Sequence, residues 1–179
     1  MKTNLVTLAL ILLAGCVPVR VVDYQKQIKG DMKAFKTFSY YQTEKSGLIG
    51  PNFENNLALL KTAITKEMNS LGFQEVESGG DLFLNIGIAV KEEVQTRETD
   101  FRTDGMRYMG QRNYHWESQE VVVDRYKEGT VKIDLVDAAT NKGVWTGSAA
   151  GTVTEKKDKA AERINKAIEM LFKKLPATK

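Results

Sequence analysis

The chain has 179 residues, 42% apolar and 27% charged, the mix of a single folded domain rather than of a disordered or fibrous segment. Its 26 Lys and Arg against 23 Asp and Glu leave a net charge of +3, too balanced for the basic stripe that nucleic-acid binding requires. One cysteine excludes an internal disulfide and one histidine excludes a His-rich metal site, so neither metal nor cofactor is expected.

Lys2 precedes an apolar run from Leu5 to Ala14 that only Thr7 interrupts, about half the length of roughly 20 residues that a spanning helix needs. The run reads as a signal h-region. It ends in Leu13-Ala14-Gly15-Cys16, which resembles the lipobox of bacterial lipoproteins. The resemblance implies cleavage before Cys16 and acylation of its thiol, and several acyl chains at about 0.8 kcal/mol per buried methylene hold a protein on a membrane. Cys16 is then an anchor, not a nucleophile. The alternative, a buried cysteine in an N-terminal strand, fits poorly with its place directly behind the h-region. Similarity to Gram-negative lipoproteins, with Val17 after the cysteine instead of an acidic residue, favours the outer membrane; the sequence leaves the orientation open, with the periplasmic side the expected one. The expected organisation is a signal peptide at 1–15, a tether with a first short strand at 16–30, and one α+β domain at 31–179.

Val19, Val21 and Tyr24 mark a β-prone stretch, and Lys36 to Tyr41 is a second. Gly50-Pro51-Asn52 then breaks the chain, with Asn52 placed to cap a helix. Its Phe53, Leu57, Leu60, Ile64, Met68 and Leu71 recur at spacings of three and four, and Gly72 ends it. After Gly79-Gly80-Asp81, the residues Leu82, Leu84, Ile86, Ile88 and Val90 alternate without a miss, with the lean residues Gly87 and Ala89 on the other face. The alternation stops after residue 94, so Gln95 to Glu117 reads as an insertion carrying aromatics and four of the seven arginines. Three strands follow, Ser118 to Tyr126, Thr130 to Asp137 and Val144 to Val153, separated by turns at Lys127-Glu128-Gly129 and Asn141-Lys142-Gly143. From about Glu155, Ala160, Ile164, Ala167, Ile168, Leu171 and Leu175 share one helical stripe, and Pro176 follows.

This order predicts an α+β two-layer sandwich: a mostly antiparallel sheet of five to six strands with two helices on one face, and a crossover that makes the strands flanking the first helix parallel. Several segments resemble one family: Val21-Val22-Asp23-Tyr24, Phe35-Lys36-Thr37-Phe38-Ser39-Tyr40, the run from Tyr126 to Asp137, and Val144-Trp145-Thr146-Gly147. That family is the bacterial lipoproteins with the domain of unknown function DUF4136, which tend to carry Trp where this chain has Tyr40. The resemblance implies an α+β envelope lipoprotein with no established reaction or ligand.

The chain offers little for catalysis. Asp134 and Asp137, three apart on a strand, point to opposite faces and cannot flank a glycosidic bond; Asp137 reads as the start of a turn. Gly147-Ser148-Ala149-Ala150-Gly151 lacks the central serine of a nucleophile elbow. His115 has no second imidazole or free cysteine to work with. Gly143, Gly147 and Gly151 share a strand face with Trp145, Ala149 and Val153, so either another backbone approaches the sheet closely or Trp145 lies across the glycines; packing is the preferred reading over a ligand groove. Within the insertion, Arg102, Arg107, Tyr108, Tyr114 and Trp116 are candidate contacts, because Arg and aromatics anchor interfaces. The insertion is otherwise a hairpin extension or a cover for the sheet. The expected function is a non-enzymatic envelope module that meets a protein or polymer. The alternative is a small-ligand or lipid-binding domain using the open sheet face near Trp145.

Overall fold

A computed structural model describes residues 19–27, 32–104 and 117–175. Strand β1 (Val19–Lys26) and a 3-10 turn (Met32–Ala34) lead into β2 (Thr37–Gly47), helix α1 (Phe53–Ser70), the two-residue β3 (Gln74–Glu75) and β4 (Leu82–Glu98). The four-residue α2 (Phe101–Asp104), then β5 (Glu120–Asp137), β6 (Lys142–Thr152) and α3 (Lys157–Phe172), complete the order. All strands join one six-stranded sheet in the order β1-β6-β5-β4-β2-β3. β2 pairs in parallel with β3 and β4, as the crossover through α1 demands, and the other pairings are antiparallel. The expected α+β sandwich is the observed one.

The alternation of β4 places Leu82, Leu84 and Ile86 under the helices, opposite Leu135 and Ile133 of β5. Burying such a side chain stabilises by roughly 1.5–3 kcal/mol, which is why this face sets the register. α1 contributes Leu60, Ile64 and Met68, and α3 contributes Ile168, Leu171 and Phe172. Asn52 holds the N-cap position of α1 without a side-chain cap; its carbonyl accepts from the Asn56 amide at 3.0 Å. The other end follows the pattern expected. Gly72 takes φ +96°, a left-handed value that a Cβ opposes, and the Gly72 and Phe73 amides donate to the Asn69 and Met68 carbonyls.

Two expectations are corrected. Lys127-Glu128-Gly129 is not a turn: all three residues pair with β4, and Glu128 and Gly129 also pair with β6, so two of the expected strands are one 18-residue strand. The alternation ends after residue 94, yet β4 continues to Glu98, opposite Glu120. Beyond the helices both faces of this two-stranded ribbon are largely open to solvent, so nothing selects apolar residues on one side. The segment at 95–117 is therefore ribbon at Gln95–Glu98 and helix at Phe101–Asp104, and residues 105–116 lie outside the described residues.

Candidate functional site

The rows of side chains facing the helices shrink toward one end of the sheet. Leu84, Leu135 and Trp145 form one row, Ile88, Val131, Ala149 and Val21 another, and Val90, Gly129, Gly151 and Val19 the last. Above the last two rows the helices offer Phe53, Leu57 and Leu60 from α1 and Ala160, Ile164 and Ala167 from α3. Small residues below and staggered apolar residues above leave a groove of about 480 Å³, within the range of small-molecule sites. Its apolar floor is formed in part by Val19, the first residue of β1.

The mouth of the groove is polar. Arg125 and Lys127 alternate with Gly129 along β5 on the helix side, and Arg163 of α3 donates from Nη1 to the Thr152 carbonyl at 2.8 Å. Among the lining residues Glu155 is the one carboxylate, and Glu92 lies 3.7 Å from Arg125. Both α1 and α3 begin at this end, neither with a side-chain N-cap bond, and each carries a first-turn carboxylate, Glu54 and Asp158, that balances its dipole. On the reverse face Arg20 grips Glu128 with two bonds of 2.6 and 3.0 Å, clasping the edge strand β1 to β5 across β6. These bonds hold the Glu128 carboxyl below its ordinary range against the opposing effect of its burial.

The family model for the domain of unknown function DUF4136 matches residues 20–177. The chain belongs to the DUF4136 family. Solved structures similar to this DUF4136 domain include a family protein from Bacteroides thetaiotaomicron VPI-5482, with 15% identity and a TM-score of 0.47 over 87% of this chain and 98% of that one. A PelC dodecamer from Paraburkholderia phytofirmans has 10% identity and a TM-score of 0.44 over 85% and 96%. A lipoprotein from Neisseria meningitidis has 11% identity and a TM-score of 0.40 over 75% and 96%. Among curated proteins none is significantly similar in sequence.

Within the DUF4136 domain the residues singled out from sequence scatter. Cys16, Arg107, Tyr108, Tyr114, His115 and Trp116 lie outside the described residues. Arg102 is exposed on α2, where its amide donates to Asp100 Oδ1 at 2.7 Å. The short helix is tied to the ribbon by Arg97, which makes two bonds of 2.6 and 2.7 Å to Asp104 and keeps that carboxyl well below the usual range. Trp145 does not belong to an open face: it is 1% exposed beneath α3, with its ring 5.9 Å from that of Phe172. The preferred packing reading holds, because a Cβ on Gly147 would sit 2.5 Å from the Trp145 ring and 2.8 Å from Leu171 Cδ1. Gly87 and Ala89 lie on the opposite face, so the two lean faces do not coincide. Sequence reading missed the groove because it took Gly129 for a turn residue. The direct opposition of Gly129 and Gly151, visible only in register, leaves this row of the floor without side chains of its own, with Val153 reaching over Gly129.

Asp137 behaves as expected, its carboxylate accepting from the Ala139 amide at 2.9 Å and the Thr140 hydroxyl at 2.6 Å. Asp134 is bonded to Lys132 at 2.9 Å and to the Thr146 hydroxyl on the uncovered face. Among the described residues no three His, Cys, Asp or Glu gather into a metal-binding cluster, and no helix is long and apolar enough to cross a membrane.

Proposed function

We propose that this DUF4136 domain is a lipid-anchored, non-enzymatic binding module of the bacterial envelope, held at the outer membrane and facing the periplasm, with the groove as its ligand site. The observation that carries this reading is the place of Val19. It lines the groove and begins β1, and it follows Cys16 by three residues, a span of at most about 11 Å of extended chain. An acylated Cys16 therefore keeps the groove beside the membrane surface. The groove's polar lining consists of amides, hydroxyls, cations and one carboxylate, groups able to orient a ligand. Labelling cells with an alkynyl fatty acid tests the anchor. The expected result is a labelled, membrane-bound protein that loses both label and membrane association in Cys16→Ala. An unlabelled wild-type protein overturns it.

The ribbon favours a second contact, with an envelope protein or polymer. It projects past the helices and exposes Val94, Val122 and Val123, and a two-stranded ribbon standing alone is only marginally stable in water. A photo-crosslinker at Val122 is expected to give one recurrent adduct in cells, and none would overturn this contact.

A further inference from the structure

We propose that the groove takes the acyl chain of an anionic amphiphile, a fatty acid or a single-chain phospholipid, with the charged head at Arg125, Lys127 and Arg163. This rests on the reading of the groove as the ligand site of a membrane-held domain.

The two parts of the groove ask for the two parts of such a molecule. The floor and walls present Val131, Ala149, Leu57 and Ile164, which gain nothing from a small polar solute but gain by taking a hydrocarbon chain out of water. The mouth presents three cations against the single lining carboxylate Glu155, with Glu92 beside Arg125. Arg163 is already oriented by its bond to the Thr152 carbonyl, and a guanidinium carries five N–H donors, so one bond to the sheet leaves others for an oxyanion. A neutral lipid would fill the floor and leave the cations unused, whereas a soluble anion would do the reverse. The diacylglyceryl group that acylation would place on Cys16 carries no negative charge and matches the floor alone. The neighbouring membrane is a direct source of anionic amphiphiles, since Val19 ties the groove to the tether.

The test uses full-length lipidated protein reconstituted into phosphatidylcholine vesicles containing a diazirine-bearing palmitic acid, with adducts mapped by mass spectrometry after illumination. Flotation with the vesicles reads the anchor, and adduct position reads the groove, so the two can fail separately. Adducts are expected on groove residues such as Leu57, Val131 and Ile164, about tenfold fewer in Arg163→Glu and about tenfold fewer with a diazirine-bearing hexadecanol. Leu57→Trp, which fills the groove and leaves the rim intact, is expected to remove the adducts while circular dichroism shows an unchanged fold. Competition by oleic acid and by lysophosphatidylglycerol tells the carboxylate and phosphate sources apart. Equal labelling by the acid and the alcohol overturns the proposal. So does floating protein without groove adducts, the result a groove filled by the protein's own anchor would give.

Discussion

The two ends of this sandwich are built from the same strands and helices and pack to opposite effect. At the far end Trp145, Phe172, Phe38, Phe73 and Met68 are all within 2% of complete burial, Gly80 packs against the Phe38 backbone, and Gly147 is covered by the Trp145 ring. At the other end Gly129 faces Gly151 with the small side chain of Val153 against Gly129, and Phe53, Leu57, Ile164 and Ala167 along the groove are only half-buried. A close-packed end makes the domain stable; a lean end with the same backbone makes a cavity. The difference lies in side-chain volume along β5 and β6, and the fold is common to both.

The comparison breaks most readily at Trp145. Trp145→Ala removes the largest fully buried side chain and leaves Gly147 and Phe172 facing a void, so unfolding in urea should show a loss of about 3–5 kcal/mol. A loss below about 1 kcal/mol would mean that the far end is no better packed than the groove. Enlargement sharpens the same contrast. Gly147→Ala puts a methyl group 2.5 Å from a rigid indole and should cost about 1–3 kcal/mol. Ala167→Leu adds more volume on the groove wall, where there is space, and should change stability by less than about 1 kcal/mol. Equal costs in the two variants would abolish the distinction.

The far end was more legible in the sequence than the groove, for a physical reason. The alternation from Leu82 to Val90 and the stripes on α1 and α3 are local patterns, each readable within one segment, and they set the sheet, the helices and the parallel crossover. The placement of Trp145 over the glycine two residues on was local as well. The groove needs Val90, Gly129, Gly151 and Val19 aligned across four strands, and no window of one strand contains that alignment. A glycine after Lys and Glu looks the same whether it turns the chain or thins a floor. Past residue 94 the ribbon loses its periodicity because solvent lies on both sides, so in the sequence the continued strand looks like the start of an insertion.

The smallest effect concerns how β1, and with it Val19, is held at the lean end. Arg20 is 62% exposed at its side chain while Glu128 is 8% exposed, so the pair is half in solvent and Glu128→Gln should cost only about 1 kcal/mol. The pH dependence identifies the cause. The Glu128 carboxyl lies below its ordinary 4.5 in the folded protein, chiefly because Arg20 bonds to it, so the folded state binds this proton more weakly than the unfolded state does. The stabilisation is then fully present above pH 4.5 and is lost as the pH falls through the lower folded value. The wild type and Glu128→Gln should differ by a constant amount in urea midpoint from pH 5 to 7 and converge in more acid solution, with hydrogen exchange of the β1 amides rising in the wild type alone. A difference that persists unchanged in acid would assign the edge strand's attachment to its ladder with β6, and the part of the groove floor that Val19 forms would then owe nothing to the Arg20–Glu128 clasp.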